Sequence, residues 1–311
     1  MKIFKSFEEW EVHEPLVATL GTFDGLHLGH QAILKDLKNL AKEHQAHSLL
    51  ISLHPHPRIV LHQAQNLKLL QTLDEKIQKI KEIGLDYLFL LPFDYEISQL
   101  SAEQFLSEIL FGKLNIQVLL IGYDHRFGKN REGNFELIEQ IAKKFQRKVV
   151  RSKEFLFHGQ KVSSTIIRNY ILKGQIAEAN TLLGYPFSIT GQVVEGDKRG
   201  RKLGFPTANL HISDPYKIIP ANGVYACKVI YQEQTYYGVT NIGTRPTFHS
   251  SKHQMEVHIL DFYQEIYQQN LKVEFYEFLR MEKKFDNIHE LIEQIQSDIR
   301  QAKEYFQIYS L

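Results

Sequence analysis

Two histidines three residues apart, His27 and His30, end a glycine-punctuated run, Gly21-Thr22-Phe23-Asp24-Gly25-Leu26-His27-Leu28-Gly29-His30. The run follows a short apolar stretch over 16–20 and opens an amphipathic one over 30–43. A strand that passes through such a loop into a helix offers an anion free backbone N–H groups and the positive end of the helix dipole. Gly21, Gly25 and Gly29 let a ligand come close to the chain, with Phe23 and Asp24 held in the same loop. Two imidazoles at that mouth can donate to phosphate oxygens, whose charge grows while a phosphorus atom is attacked. A helix cap or a metal pair is the alternative for a bare His-x-x-His; its place directly after the first strand favours phosphate.

Three further clusters bear on the same chemistry. Val162-Ser163-Ser164-Thr165-Ile166-Ile167-Arg168 sets three hydroxyls at a predicted helix start with an arginine one turn in. Ser163, Ser164 and Thr165 can hold phosphate oxygens while Arg168 neutralises a departing polyphosphate. Alone this is an ordinary N-cap with a solvated arginine; paired with the histidine loop it becomes a complement to it. Gly191-Gln192-Val193-Val194-Glu195-Gly196 leads into Asp197-Lys198-Arg199-Gly200-Arg201-Lys202-Leu203-Gly204-Phe205-Pro206-Thr207-Ala208-Asn209. Four cations on a glycine-rich loop suit a polyphosphate, although the P-loop order is absent and a solvated basic hairpin is the plainer reading. Thr207 and Asn209, two apart after a proline-set turn, can both face one hard cation such as Mg²⁺. In Met255-Glu256-Val257-His258-Ile259-Leu260 strand alternation places Glu256 and His258 on one face, opposite Val257 and Ile259.

The elements around these residues predict two domains, as a length of 311 residues suggests. Over 1–185, apolar strands at 16–20, 48–53, 87–91, 118–121 and 148–151 alternate with helical spacing at 30–43, 74–83, 101–111 and 135–145. Ser101 and Gln104 form a capping-box pattern. Such alternation predicts a parallel sheet covered on both faces, with ligands beyond the carboxyl ends of its strands. Helices are expected over 163–173 and 175–183. Over 186–311 the pattern changes to strands at 188–194, 223–231, 235–242, 254–260 and 271–279, an antiparallel sheet or small barrel, and one last helix over 288–306. The 37 basic and 36 acidic residues nearly cancel, which argues against a protein held to nucleic acid by bulk charge. One cysteine, Cys227, excludes an internal disulfide and a multi-cysteine zinc site. With no signal peptide and no apolar run of about 18 residues, a cytoplasmic protein with no membrane partner is expected.

The histidine loop, Pro55-His56-Pro57, Gly122-Tyr123-Asp124-His125-Arg126-Phe127-Gly128 and 163–168 resemble the adenylyltransferase module of bacterial bifunctional FAD synthetases. That family joins FMN adenylyltransferase to riboflavin kinase, whose signature Pro206-Thr207-Ala208-Asn209 resembles. The likeness covers most of 15–184 and nearly all of 187–305. It implies a Rossmann-like α/β nucleotidyltransferase domain, then a small antiparallel β-barrel kinase domain with a C-terminal helix. It also implies that His27 and His30 contact ATP phosphates, that Ser164 and Arg168 bind ATP, and that His56, Asp124 and Arg126 line the nucleotide and FMN crevice. His125 stands where members often carry Phe. In the second domain Thr207 and Asn209 would hold Mg-ATP, with Gly196 and either Lys202 or Arg201 near the phosphates. Glu256 would take the proton from the riboflavin 5′-hydroxyl, beside a loop formed by 241–248. Riboflavin, FMN and ATP would be the substrates and FAD the final product, with the oligomeric state left open. Rival readings are another nucleotidyltransferase, which would lack the second domain, and a flavin-binding regulator, which would not need these polar residues.

Overall fold

The computed structural model describes residues 1–123, 128, 133–196, 199–246 and 251–307. Two compact units emerge, Met1–Leu67 with Leu73–Val162, and Lys68–Thr72 with Ser163–Leu311.

The first unit is built on β1 (Lys2–Phe4), β2 (Leu16–Gly21), α1 (Leu28–Glu43), β3 (His47–His54), α2 (Pro57–Val60), α3 (Leu73–Ile83) and β4 (Tyr87–Pro92). It continues through α4 (Tyr95–Gln99), α5 (Ala102–Gln104), a π-helix (Phe105–Lys113), β5 (Val118–Ile121), α6 (Phe135–Lys144) and β6 (Lys148–Arg151) to a small hairpin, β7 (Leu156–Phe157) and β8 (Gln160–Lys161). The strands form one sheet in the order β1-β4-β3-β2-β5-β6, every neighbouring pair parallel. Near-continuous apolar strands such as Leu16-Val17-Ala18-Thr19-Leu20 are buried on both faces, as helices on either side require. One face packs Leu34, Leu37 and Ala41 of α1 with Ile80 of α3. The other packs Ile109 and Leu110 of the π-helix with Ile138 and Ile141 of α6. The strand order reverses at β2, which has β3 on one side and β5 on the other, so the ligand crevice opens at the carboxyl end of β2.

The expected capping box is present: the Ser101 hydroxyl accepts from the Gln104 N–H at 3.1 Å, and Gln104 Oε1 accepts from the Ser101 N–H at 3.0 Å. The α-helix expected over 101–111 lasts one turn and then widens into the π-helix. Phe105, Leu106, Ile109, Leu110 and Phe111 are all buried there, and the wider turn accommodates an apolar face broader than an α-helical stripe.

The second unit holds α7 (Ser164–Leu172), α8 (Ile176–Leu183), β9 (Ser188–Val194), α9 (Arg199–Lys202), β10 (Ala208–His211), β11 (Gly223–Tyr231), β12 (Gln234–Pro246), β13 (Ser251–Ile259), β14 (Asn270–Arg280) and α10 (Ile288–Tyr305). Its six strands close an antiparallel barrel in the order β10-β13-β12-β11-β14-β9, with β9 pairing back to β10. Residues 68–72 dock here. The Leu69 N–H donates to the Tyr216 carbonyl at 2.7 Å, and the Ile218 N–H donates to the Leu69 carbonyl at 2.9 Å. Buried Lys217 donates to the carbonyls of Leu70 at 2.8 Å and Ser188 at 2.7 Å. α10 is tied down where Arg280, at the end of β14, forks onto Asp298 at 2.8 and 2.7 Å. Among the described residues no helix is long and apolar enough to cross a membrane.

Candidate active site

The histidine loop leaves β2 at Gly21 and enters α1 at Leu28. Three residues of the loop use the left-handed region, Phe23 (φ 47°), Gly25 (φ 85°) and Leu26 (φ 37°). Bulky residues pay for that conformation, and the burial of Phe23 and Leu26 in the core beneath offsets the cost. His27 is the N-cap of α1, its Nδ1 accepting from the His30 N–H at 3.3 Å. The two imidazoles stack, with centroids 3.7 Å apart and planes 15° apart, and Phe23 leans on His30 at 4.8 Å. A Cβ at Gly29 would sit 3.3 Å from the His27 ring, so glycine there makes room for the stack.

From beneath, Lys76 of α3 donates to the Thr22 carbonyl at 3.0 Å and to the Ser52 hydroxyl of β3 at 3.2 Å. Burial, then the nearby charges of His27 and Lys76, hold His30 well below the ordinary imidazole range. Burial likewise lowers the Lys76 ammonium, against the pull of buried Asp24. His30 keeps an edge at the surface, but its Nδ1 is buried without a partner among the described residues. At neutral pH His30 is therefore a neutral ring that offers an N–H donor rather than a cation. No sequence motif marks Lys76, although a cation on the helix face that carries Leu73, Ile77 and Ile80 is a signal that it turns inward.

His56 caps α2, its Nδ1 accepting from the Arg58 N–H at 3.2 Å. After β5, the Tyr123 carbonyl accepts from Arg151 Nε at 3.1 Å and Nη2 at 2.7 Å. Asp124 and Arg126, with His125, lie outside the described residues. Ser163 is the N-cap of α7, accepting from the Ile166 N–H at 3.4 Å; Ser164 and Thr165 form its first turn, and Arg168 Nη1 reaches the Thr165 hydroxyl at 3.5 Å. This cluster belongs to the second compact unit.

In the barrel, pairing aligns Asn209 of β10 with Glu256 of β13, and Glu256 with Asn241 of β12. Met255, Val257 and Ile259 are buried, while Gln254, Glu256 and His258 face the other way, which is the alternation expected of this strand. The Thr207 hydroxyl lies 3.5 Å from Glu256 Oε2. Gln254 Nε2 donates to Asn209 Oδ1 at 2.8 Å and to Glu256 Oε1 at 2.7 Å, joining the two sides. The His258 ring donates from Nδ1 to the Pro206 carbonyl at 2.8 Å and so fixes the turn before Thr207. A Cβ on Gly196 would stand 2.2 Å from Asn209 Nδ2, so that loop residue must be glycine for the amide to fit. Arg201 is engaged by Glu265 at 2.8 Å on the surface; the Lys202 backbone lies in α9 and its side chain is outside what is described.

The donors gathered here are a hydroxyl, an amide and a carboxylate, all oxygen. No cluster of three or more His, Cys, Asp or Glu side chains able to hold a metal occurs among the described residues. This set fits Mg²⁺, which prefers oxygen and completes its shell with water and substrate phosphate. Of the aromatics near the barrel, Tyr225 is core, packed on Phe275 at 5.4 Å and Phe278 at 5.2 Å, whereas Tyr263 is 92% exposed. Phe262 packs on Tyr236 and Tyr237 on Phe306. Gln254 joins the site only through strand register, which the sequence does not display; residues 241–246, expected as part of a loop over 241–248, instead continue strand β12, which sets Asn241 opposite Glu256, and 247–248 lie outside the described residues.

Comparison with known proteins matches the same two regions. A family model described as FAD synthetase covers residues 9–166, and one described as riboflavin kinase covers 183–306. The bifunctional riboflavin kinase/FMN adenylyltransferase of Buchnera aphidicola is 38% identical across 99% of this chain and 100% of its own. Its namesake in Bacillus subtilis is 38% identical across 93% and 92%. A crystal structure described as a macrolide-efflux protein from Streptococcus pneumoniae superposes with a TM-score of 0.88 at 29% identity, over 99% of each chain. With both models matched in succession and relatives aligned nearly end to end, this chain belongs to the bifunctional riboflavin kinase/FMN adenylyltransferase family.

Proposed function

We propose that this chain makes FAD from riboflavin in two ATP-dependent transfers, phosphorylation in the barrel and adenylylation on the parallel-sheet unit. The observation that carries the reading is the succession of the two family matches along one chain. Residues 1–185 serve as the adenylyltransferase domain and 186–311 as the kinase domain, working in the cytoplasm on small-molecule substrates.

In the barrel, Glu256 takes the proton from the riboflavin 5′-hydroxyl as that oxygen attacks the γ-phosphorus of ATP. Thr207 and Asn209 hold Mg-ATP, with Gly196 and Lys202 beside its phosphates. Held by Thr207 and Asn209, Mg²⁺ would supply neutralisation of charge on the phosphate being transferred. In the other step the FMN phosphate is itself the nucleophile, so no strong base is needed. His27 and His30 donate to the oxygens of the α-phosphate, where charge grows. Gly21, Phe23, Asp24, Gly25 and Gly29 shape that cradle. Ser163, Ser164, Thr165 and Arg168 serve the nucleotide phosphates, and His56, Asp124 and Arg126 the crevice for nucleotide and flavin.

Incubation with riboflavin, ATP and Mg²⁺, followed by chromatography of the flavins, tests both steps. FMN and then FAD are expected, and Glu256→Gln should abolish the first while conversion of added FMN to FAD persists. Riboflavin recovered unchanged from the wild-type reaction would refute the proposal.

A further inference from the structure

We infer that Lys76 is a positioning residue for adenylyl transfer, holding from beneath the loop that carries the stacked His27 and His30. The inference rests on the adenylyl-transfer reading of that loop.

An ammonium turned inward is costly unless it has partners, and Lys76 has two: the Thr22 carbonyl and the Ser52 hydroxyl. Ser52 is fully buried on β3, a rigid strand, and its hydroxyl itself lies 3.5 Å from the Thr22 carbonyl. Lys76 thus ties the loop to the neighbouring strand at Thr22, immediately before the chain turns left-handed at Phe23. Phe23 is the residue that leans on His30, so the tie is transmitted by direct contact to the stack. Asp24, next along the loop, lies in the field of the same ammonium. Strain at Phe23 and Leu26 is stored only while the surroundings hold it. Without Lys76 the Thr22 carbonyl keeps, among the described residues, only the long contact of the Ser52 hydroxyl at 3.5 Å, Phe23 is free to relax, and the imidazoles lose their register with the nucleotide.

The test compares Lys76→Met and Lys76→Arg with wild type. Adenylylation of FMN should fall on the order of 10²-fold in Lys76→Met, the size expected when reacting groups shift by about 1 Å. Phosphorylation of riboflavin should stay at the wild-type rate. Lys76→Arg, which can still donate to both oxygens, should recover much of the loss. A second readout does not depend on catalysis: rings stacked at 3.7 Å shift one another's ring-proton resonances, and those shifts on His27 and His30 should collapse in Lys76→Met and survive in Lys76→Arg. The inference is overturned if adenylylation is unchanged in Lys76→Met, or if it falls while the ring shifts persist. Should Lys76→Met not fold, Lys76→Gln, which keeps a donor, carries the same expectations in smaller measure. If wild type itself fails to adenylylate FMN, the parent reading falls, and the ring shifts alone still decide whether Lys76 holds the loop.

Discussion

His27 does two things at once, and the two can be separated. As N-cap it satisfies a backbone donor of α1, a service worth about 1 kcal/mol when the cap is lost to alanine. As half of the stack it offers a ring nitrogen to the phosphate undergoing substitution. His27→Ala should therefore lose both, lowering adenylylation by roughly 10²-fold and the stability of the parallel-sheet unit slightly. His27→Asn restores a good cap but no imidazole, so its melting temperature should return to that of wild type while adenylylation stays low. Initial rates with FMN and ATP, read beside melting curves, check this; recovery of the rate by asparagine would mean that capping was the whole contribution. At this scale much of the site was legible. His27, His30, Thr207 and Asn209 stand in strings whose residue types suggest phosphate and metal chemistry, while Glu256 is singled out only through the family resemblance. Lys76 and Gln254 do not, because each gains its part only from a partner brought in by a different strand or helix.

At the scale of elements, periodicity located β5, β6, β9 and β11 to the residue, because each is an uninterrupted run set off from its neighbours by charged or turn-forming residues. It missed β1, whose three residues are too few to show a period and which is a strand only because β4 lies beside it. It also missed β10, which was visible as a motif rather than a strand: Ala208-Asn209-Leu210-His211 is held by β9 and β13. That pairing is what makes the preceding loop intolerant. Gly196 follows β9 and lies against the Asn209 amide, so a methyl group there must push Asn209 out of line with Glu256. Gly196→Ala should lower riboflavin phosphorylation at least tenfold, with a rise in the ATP concentration needed for half-maximal rate, while leaving FMN adenylylation as it was. Steady-state kinetics on each half-reaction decide it, and an unaltered kinase rate would show that Asn209 does not need its present position.

The whole molecule is two cores on one chain, and the chain is not simply divided between them. Length and the change of period near Pro186 predict two domains parted there, whereas the compact units part after Val162, with α7 and α8 in the second, and residues 68–72 also join the second to pair with Tyr216 and Ile218, an excursion without any local signal. Separate cores imply that damage to one can spare the other. The sharpest place to apply it is Asp298, buried on α10, whose carboxylate takes both arms of Arg280 and a further hydrogen bond from Gln294 at 3.0 Å. Arg280 is only 21% exposed, so in Asp298→Ala its charge keeps little water and, among the described residues, retains the Met281 carbonyl at 3.0 Å and the Phe285 ring at 5.9 Å. Breaking a buried pair from one side costs about 3–5 kcal/mol, and the residual exposure of Arg280 puts this case near the lower end. At about 2–4 °C per kcal/mol for a domain of this size, the barrel should melt roughly 10 °C earlier. Riboflavin phosphorylation should then fail at a correspondingly lower temperature while FMN adenylylation keeps its own limit. The double replacement Arg280→Met with Asp298→Leu removes both charges and should regain most of the loss, since an apolar pair of similar volume is close to neutral in exchange for an ion pair. Calorimetry with residual-activity curves for both reactions reads the outcome. A shift below about 2 °C in Asp298→Ala would mean that α10 is held by its apolar face and that the fork adds little.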